Sequence, residues 1–294
     1  MGIKSKRDKF QIGALLLPGV MVFALFTIYP ITKLFYMSFF EWDFGSMLSH
    51  RFIGLENYKE VLGDEYFRTV FINSLVYTLV TVPGQMLAGF LVALLLNQIT
   101  RFKVGYRVLY YLPVITSWVV ASLIFKYVFN TEGLLNYFLM NIVHITSANV
   151  RWLDTRWGGM TVAMLLGIWK GIGWNMVVFL AALQTVPTDL YEAAAIDGAT
   201  AWDKMWNVTI PSIRGTILFA LVMLTIGGFN VFTSIKMITG GEPGHQTDVI
   251  LTWMYHKAFS TGKFGYAAAL SFITTVVLAI LAVIQFKLMQ QKDQ

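Results

Sequence analysis

The sequence predicts an all-α membrane protein with six transmembrane helices and a two-helix elbow between spans 4 and 5. Hydrophobic residues make up 56% of the 294 residues and charged residues only 13%, whereas about a quarter of a soluble domain is charged. Apolar windows long enough to cross a bilayer, about 18 to 20 residues, recur along the chain. One moderately polar stretch, residues 187–211, interrupts them with the periodicity of two short helices.

The predicted spans follow one another within a single domain, residues 1–294. They lie at residues 10–38, 69–100, 106–129, 157–186, 214–237 and 264–289. The first span follows a basic segment, as in a signal peptide, but its apolar run is too long and lacks a small-residue cleavage site, which indicates a retained helix. The fourth span reaches full length only if it continues through Lys170.

Lysine and arginine residues near the span ends are unevenly divided between the two sides of the membrane. The sides are assigned by letting the chain cross once with each span. One side carries eleven of these residues and the other carries seven. The eleven are Lys4, Lys6, Arg7, Lys9, Arg101, Lys103, Arg107, Lys204, Arg214, Lys287 and Lys292. The positive-inside rule therefore predicts that both termini and the elbow are cytoplasmic.

The elbow begins with a pattern that predicts a first short helix. Asp189 is followed three residues later by Glu192, the spacing of a capping box. The face of this helix is predicted to carry residues at helical spacing, namely Leu190, Ala193, Ala194 and Asp197. Gly198 then supplies the bend, because glycine adopts backbone conformations that other residues avoid.

A second short helix is predicted after the bend. Thr200 with Asp203 has the pattern of an N-cap, and Pro211 is expected to end the helix because it disfavours a helical residue before it. The apolar face of this second helix carries Trp202, Met205, Trp206 and Thr209. From periodicity alone, the elbow could equally be an amphipathic hairpin at the membrane surface that only links two spans.

Several classes of function lack the residues that their chemistry needs. The net charge of +6 comes from basic residues scattered along the chain, so nucleic acid is not an expected partner. No cysteine is present, which excludes disulfides and thiolate chemistry. The four histidines have no metal-site spacing, and the phosphate-binding loop Gly-x-x-x-x-Gly-Lys-Ser/Thr is absent, so the chain has no standard ATP cradle.

Two further classes are disfavoured by the composition of the spans. An ion-coupled secondary transporter would need ionisable groups near the middle of the membrane, and no predicted span contains Asp or Glu. An intramembrane enzyme would need paired catalytic residues, and the spans offer no such pair.

The order of residues in the elbow closely resembles a known family. The series runs Glu192-Ala193-Ala194, Asp197-Gly198-Ala199, Trp202 and Ile210-Pro211. It is similar to the EAA loop of the permease subunits of ABC importers, in which the loop is the coupling helix that docks in a groove of a separate ATPase. The chain departs from that pattern at Met205, where phenylalanine is common, and at Gly215, where a second proline is often found.

The resemblance implies roles for the elbow residues. Glu192 and Asp197 would make polar contacts or cap the helix, Gly198 would form the bend, and Ala199 and Pro211 belong to the motif. Apolar docking onto the ATPase would come from Leu190, Ala193, Ala194, Trp202, Met205 and Trp206.

The resemblance also implies partners and a substrate. Residues 52–58, 133–136 and 239–244 are similar to segments of the carbohydrate-uptake branch, which includes maltose and oligosaccharide permeases. A chain of this kind would work in a prokaryotic cell membrane with a second permease subunit, two ATP-binding subunits that hold ATP and Mg²⁺, and an extracytoplasmic binding protein that delivers a carbohydrate. It would bind no cofactor itself. Glycerol phosphate or another polyol is an alternative substrate within the same family.

Four residues are candidates for the substrate path. In the resembled family the spans before and after the coupling loop line the path, which on this chain points to Lys170, Gly171, Trp174 and Asn230. A charge inside a span commonly faces a cavity, and an indole offers a flat face to a sugar ring. The alternative is that Lys170 pairs locally and that Trp169 lies against lipid or a neighbouring helix.

Overall fold

The computed structural model describes residues 6–43, 50–99 and 101–290, and these are almost entirely helical. The α-helices are α1 (Lys6–Phe23), α2 (Tyr29–Met37), α3 (Glu56–Gly63), α4 (Glu65–Gln98), α5 (Lys103–Ile115), α6 (Trp118–Val128), α7 (Leu134–Tyr137), α8 (Arg156–Leu183), α9 (Thr188–Ile196), α10 (Ala201–Lys204), α11 (Ile210–Ser212), α12 (Arg214–Phe229), α13 (Thr233–Ile238), α14 (Ile250–Tyr255) and α15 (Phe264–Gln290). Turns of π-helix occupy Ala24–Ile28, Phe138–Ile142, Met205–Thr209 and His256–Ser260.

Helices long and apolar enough to cross a membrane number five in the described part of the chain, or six if the bent pair α5 and α6 forms one span. The third predicted span, 106–129, is therefore not one continuous helix. Thr116 and Ser117 have extended backbone angles, and the chain bends by 90° there. The fifth predicted span, 214–237, is also interrupted, since α12 ends at Phe229 and α13 begins only at Thr233.

The chain divides into two compact units. The first comprises Met1–Asp64 with Met254–Thr274, and it contains a short antiparallel ribbon of strands β1 (Phe40–Glu41) and β2 (Arg51–Phe52). Asn57 holds this ribbon to the end of α2, because its amide donates to the carbonyls of Ser38 and Phe40, each at 2.9 Å.

The second unit comprises Glu65–Trp253 with Thr275–Gln294, and its centre is the pair α4 and α8. Glycines let these two helices approach closely, as small residues do in membrane helix pairs. A Cβ atom added at Gly89 on α4 would overlap with the Cβ of Asn175 on α8, and one added at Gly171 would overlap with the Gln85 side chain. Large buried side chains such as Phe179 and Met176 fill the space around this contact.

We expect Gly89→Ala to lower the thermal stability of the purified chain, because the new methyl group must displace α8 backbone as well as Asn175. Overpacking of this kind costs about 2 kcal/mol, or roughly 5 °C in Tm. Gly105→Ala on α5 is the matched control, since no atom lies within 4 Å of its added Cβ. Equal melting temperatures for the two variants would contradict the close α4–α8 contact.

Candidate functional site

The elbow forms two helical arms around a turn, as the sequence predicts. The first arm is α9, and Gly198 turns the chain with a φ of +77°, a value that favours glycine. Asp197 stands at the C-cap of α9, and the amide of Ala199 donates to the carbonyl of Ala194 at 2.9 Å. The second arm runs from α10 through a π-helical turn into α11.

The second arm begins with the expected cap. The Thr200 hydroxyl and backbone amide both donate to the Asp203 carboxylate, at 2.6 and 2.9 Å, and the Asp203 amide donates back to the Thr200 hydroxyl. The bond from the Thr200 hydroxyl, and to a smaller extent the bond from its backbone amide, hold the pKa of Asp203 below its ordinary value. The N-cap predicted at this position is confirmed, and the reciprocal bonds make it a capping box.

Two details of the predicted elbow are wrong. The first arm has no capping box from Asp189 and Glu192, because the N-cap of α9 lies two residues earlier, at Pro187, which makes no side-chain bond. Pro211 does not end the second arm, because it lies in the first turn of α11. Proline is tolerated there, since its missing backbone N–H would have no helical partner at that position. The helical backbone continues to Ser212.

One face of the elbow is fixed to the bundle. The Tyr191 hydroxyl lies 3.0 Å from the hydroxyl of Thr209, so the two arms are joined across the turn. Thr209 is buried, and Tyr191 and Val208 pack against a core cluster that includes Leu183. The sequence analysis did not single out Tyr191, although its place between the apolar residues of the first arm could have shown that it faces the bundle.

The opposite face of the elbow is apolar and exposed. Ile196 is 87% exposed and Trp202 is 70% exposed, and the Trp202 ring meets the Trp206 ring edge to face at 5.6 Å. The other predicted docking and motif residues that are exposed are Leu190, Glu192, Ala193, Asp197, Gly198, Trp206 and Pro211, whereas Ala194, Ala199 and Met205 are half-buried. Ile196 was missed because the motif that carries the resemblance skips it, yet a large branched side chain in the last turn of an alanine-rich helix was a visible signal.

A cavity of about 440 Å³ lies in the second unit, between the helices on either side of the elbow. All four residues predicted for the substrate path line it: Lys170, Gly171, Trp174 and Asn230. The sequence analysis missed further lining residues on the other helices, among them Tyr77, Thr81, Gln85 and Trp118. Tyr77, Thr81 and Gln85 recur at intervals of four on α4, a polar stripe on an apolar helix, which was the available signal.

Lys170 is the charged residue of this cavity and is only 3% exposed. Its ammonium group donates to the carbonyl oxygens of Pro113 and Thr116, at 2.6 and 2.7 Å. Among the described residues, no carboxylate lies within ion-pair distance of it. Lys170 thus pairs locally with the break between α5 and α6 and lines the cavity as well.

The remaining candidates have distinct surroundings. Gly171 lets the Gln85 side chain lie directly against α8, while Asn230 caps α12 by donating its side-chain amide to the carbonyl of Ile226 at 3.0 Å. Trp174 is half-buried, with part of its ring on the cavity. Trp169 points elsewhere: it lines a second cavity, and its ring is 5.7 Å from that of Phe125.

Comparisons with known proteins agree with this architecture. Residues 67–292 match the model of the family described as binding-protein-dependent transport system inner membrane component. The multiple sugar-binding transport system permease protein MsmF of Streptococcus mutans is 30% identical over 288 residues, covering 98% of each chain. The arabinooligosaccharides transport system permease protein AraP of Halalkalibacterium halodurans is 31% identical over 277 residues, covering 93% of this chain and 86% of the relative.

A solved structure shares the fold. A chain of the bacterial alginate ABC transporter in complex with an alginate pentasaccharide-bound periplasmic protein matches with a TM-score of 0.80 and 25% identity, covering 95% of this chain and 93% of that one. The family resemblance that the elbow residues indicated is therefore confirmed. The chain belongs to the family of binding-protein-dependent transport system inner membrane components, the permease subunits of ABC importers.

Proposed function

We propose that the chain is one of two permease subunits of an ATP-driven importer that moves a carbohydrate across a prokaryotic cell membrane. An extracytoplasmic binding protein delivers the substrate, and two partner subunits bind ATP with Mg²⁺ and hydrolyse it. Both termini and the elbow lie in the cytoplasm, and the chain itself binds no cofactor. The chain acts as a permease subunit and not as an enzyme, because the partner subunits hydrolyse the ATP.

The observation that carries the proposal is the exposed apolar face of the elbow. Monomeric proteins rarely leave a contiguous group of large apolar side chains uncovered, and such groups mark interaction sites. Trp202 and Trp206 are in contact and exposed, and Ile196 is exposed on the other arm. Tryptophan is a residue that concentrates binding energy at interfaces. Glu192 and Asp197 add exposed carboxylates beside this face, which suit a polar rim.

The elbow is also placed to transmit a movement. The α8 helix carries Lys170, Gly171 and Trp174 and continues to Leu183, only a short turn before α9. On the other side, α11 leads directly into α12, which ends next to Asn230. Because a helix shifts as a rigid element, a displacement of the elbow reaches both walls of the cavity through the chain itself.

The cavity suits a polyhydroxylated ring. Trp118 and Trp174 present indole rings, whose faces pack against apolar ring surfaces, while Tyr77, Gln85 and Thr81 present groups that hydrogen-bond hydroxyls. The names of the Streptococcus mutans and Halalkalibacterium halodurans relatives refer to sugars and arabinooligosaccharides. A carbohydrate is therefore the substrate class that the residues and the relatives both support.

The bend of the elbow can be tested at one position. We expect Gly198→Val to lower carbohydrate uptake about tenfold while the spans still insert, because a β-branched residue at φ +77° distorts the turn. Gly198→Asn is the matched control, since asparagine tolerates this conformation. The measurement is ATP-dependent uptake by the complete complex in proteoliposomes with the binding protein, and wild-type uptake by the valine variant would count against transmission through the elbow.

The cavity can be tested with its two neighbouring tryptophans. Trp174→Ala should raise the KM for carbohydrate uptake about fivefold, the effect of losing roughly 1 kcal/mol of ring contact. Trp169→Ala is the control, because Trp169 lies five residues before Trp174 on the same helix and lines a different cavity. The same KM in both variants and the wild type would remove Trp174 from the substrate path.

A further inference from the structure

The break between α5 and α6 exposes backbone groups that need partners. The last carbonyls of a helix have no N–H donor further along the chain, and in this chain the backbone turns by 90° immediately after α5. Unsatisfied carbonyls at membrane depth are costly, and the negative end of the helix dipole also lies at this point. Such an end is a place where a cation binds, as at the broken helices of ion-coupled transporters.

In this protein the cation is a side chain. The ammonium of Lys170 reaches the carbonyls of Pro113 and Thr116 and lies 3.2 Å from the Thr116 hydroxyl. An ammonium has three N–H donors, so these three oxygens use all of them. The same nitrogen lies 4.8 Å from the centre of the Trp118 ring, which adds a cation–π contact from the far side of the break.

This contact also stands between two cavities. Lys170 and Trp118 line the cavity proposed for the substrate, whereas Pro113 and Thr116 line the second cavity, of about 450 Å³. The bonds from this one ammonium group thus cross the wall between the two cavities. Lys170 is the one charged residue among the described residues that line the first cavity, and its donors already have partners.

We infer that Lys170 is a positioning residue whose ammonium acts as a tethered cation and binds the carbonyl oxygens at the break between α5 and α6. Because its donors are used there, the cavity has no free positive charge. The substrate class is consequently an uncharged carbohydrate, recognised by aromatic faces and neutral polar groups. The inference deepens the proposed function and rests on it for the identity of the substrate.

The test uses Lys170→Ala in the complete complex, with and without n-propylammonium, which matches the deleted end of the side chain. We expect uptake of an uncharged oligosaccharide to fall about tenfold, because the carbonyls of Pro113 and Thr116 both lose their charge-assisted donor and Pro113 keeps only the Thr116 hydroxyl. Propylammonium should restore uptake at least about threefold, and tetramethylammonium should not, because it has no N–H donor. Lys126→Ala, which removes an exposed lysine on α6, should transport like the wild type.

Two further measurements keep the outcome decisive. Thr116→Val keeps both carbonyls and loses the hydroxyl, which accepts from the Lys170 ammonium at 3.2 Å and donates to the Pro113 carbonyl at 2.7 Å, and we expect a loss of about threefold in uptake. Propylammonium should also raise the melting temperature of the purified alanine variant and not that of the wild type, because a ligand stabilises the state that binds it. This second readout does not require transport.

The inference is overturned if the alanine variant transports normally, if tetramethylammonium restores it equally well, or if Thr116→Val behaves as the wild type. It is also overturned if the wild type prefers an oligosaccharide of uronates and the alanine variant loses only that substrate, since Lys170 would then bind the anion. A wild-type complex that takes up no carbohydrate contradicts the proposed function instead. In that case the melting temperatures still decide whether Lys170 acts as the cation of the break.

Discussion

Apolar side chains on a helix outside the hydrocarbon layer are either buried against the same chain or remain exposed until a partner covers them. The elbow between α8 and α12 does both. Tyr191, Val208 and Thr209 fix one face to the bundle, while Ile196 and Trp202 remain exposed on the other. This division anchors one face of the elbow and leaves the other face open, which is the arrangement that the proposed function requires.

The helices next to the elbow connect it to the cavity. The α8 helix is continuous from the elbow past Trp174 and Lys170, and so is its main neighbour α4. Two other segments beside the cavity are broken, α5–α6 at Thr116 and α12–α13 at Asn230. A continuous rod packed against broken helices is an arrangement in which movement concentrates at the breaks, because the packed helices shift as units. Lys170 lies on α8 and hydrogen-bonds to the break between α5 and α6. It therefore connects the helix that follows from the elbow with the wall of the cavity.

Much of this architecture could be predicted from the sequence, because hydropathy and periodicity are strong signals for membrane helices. The family resemblance, the elbow with its bend at Gly198 and the cap from Thr200 to Asp203 came from local patterns that depend on near neighbours. The bend after Ile115 was not predicted; the carbonyls next to it accept hydrogen bonds from Lys170, which is distant in sequence. The N-cap at Pro187 and the helical setting of Pro211 were also missed; a proline in the first turn of a helix is compatible with helical backbone.

The central claim is that the exposed face of the elbow docks on an ATP-hydrolysing subunit in the cytoplasm. Because the chain has no cysteine, an Ile196→Cys variant carries a single thiol at the most exposed point of that face. A photo-crosslinker attached to this thiol should join the chain to the ATP-hydrolysing subunit, and in intact cells the thiol should resist a membrane-impermeant reagent added outside. Labelling from outside, or a complex that transports without any crosslink to that subunit, would contradict the claim.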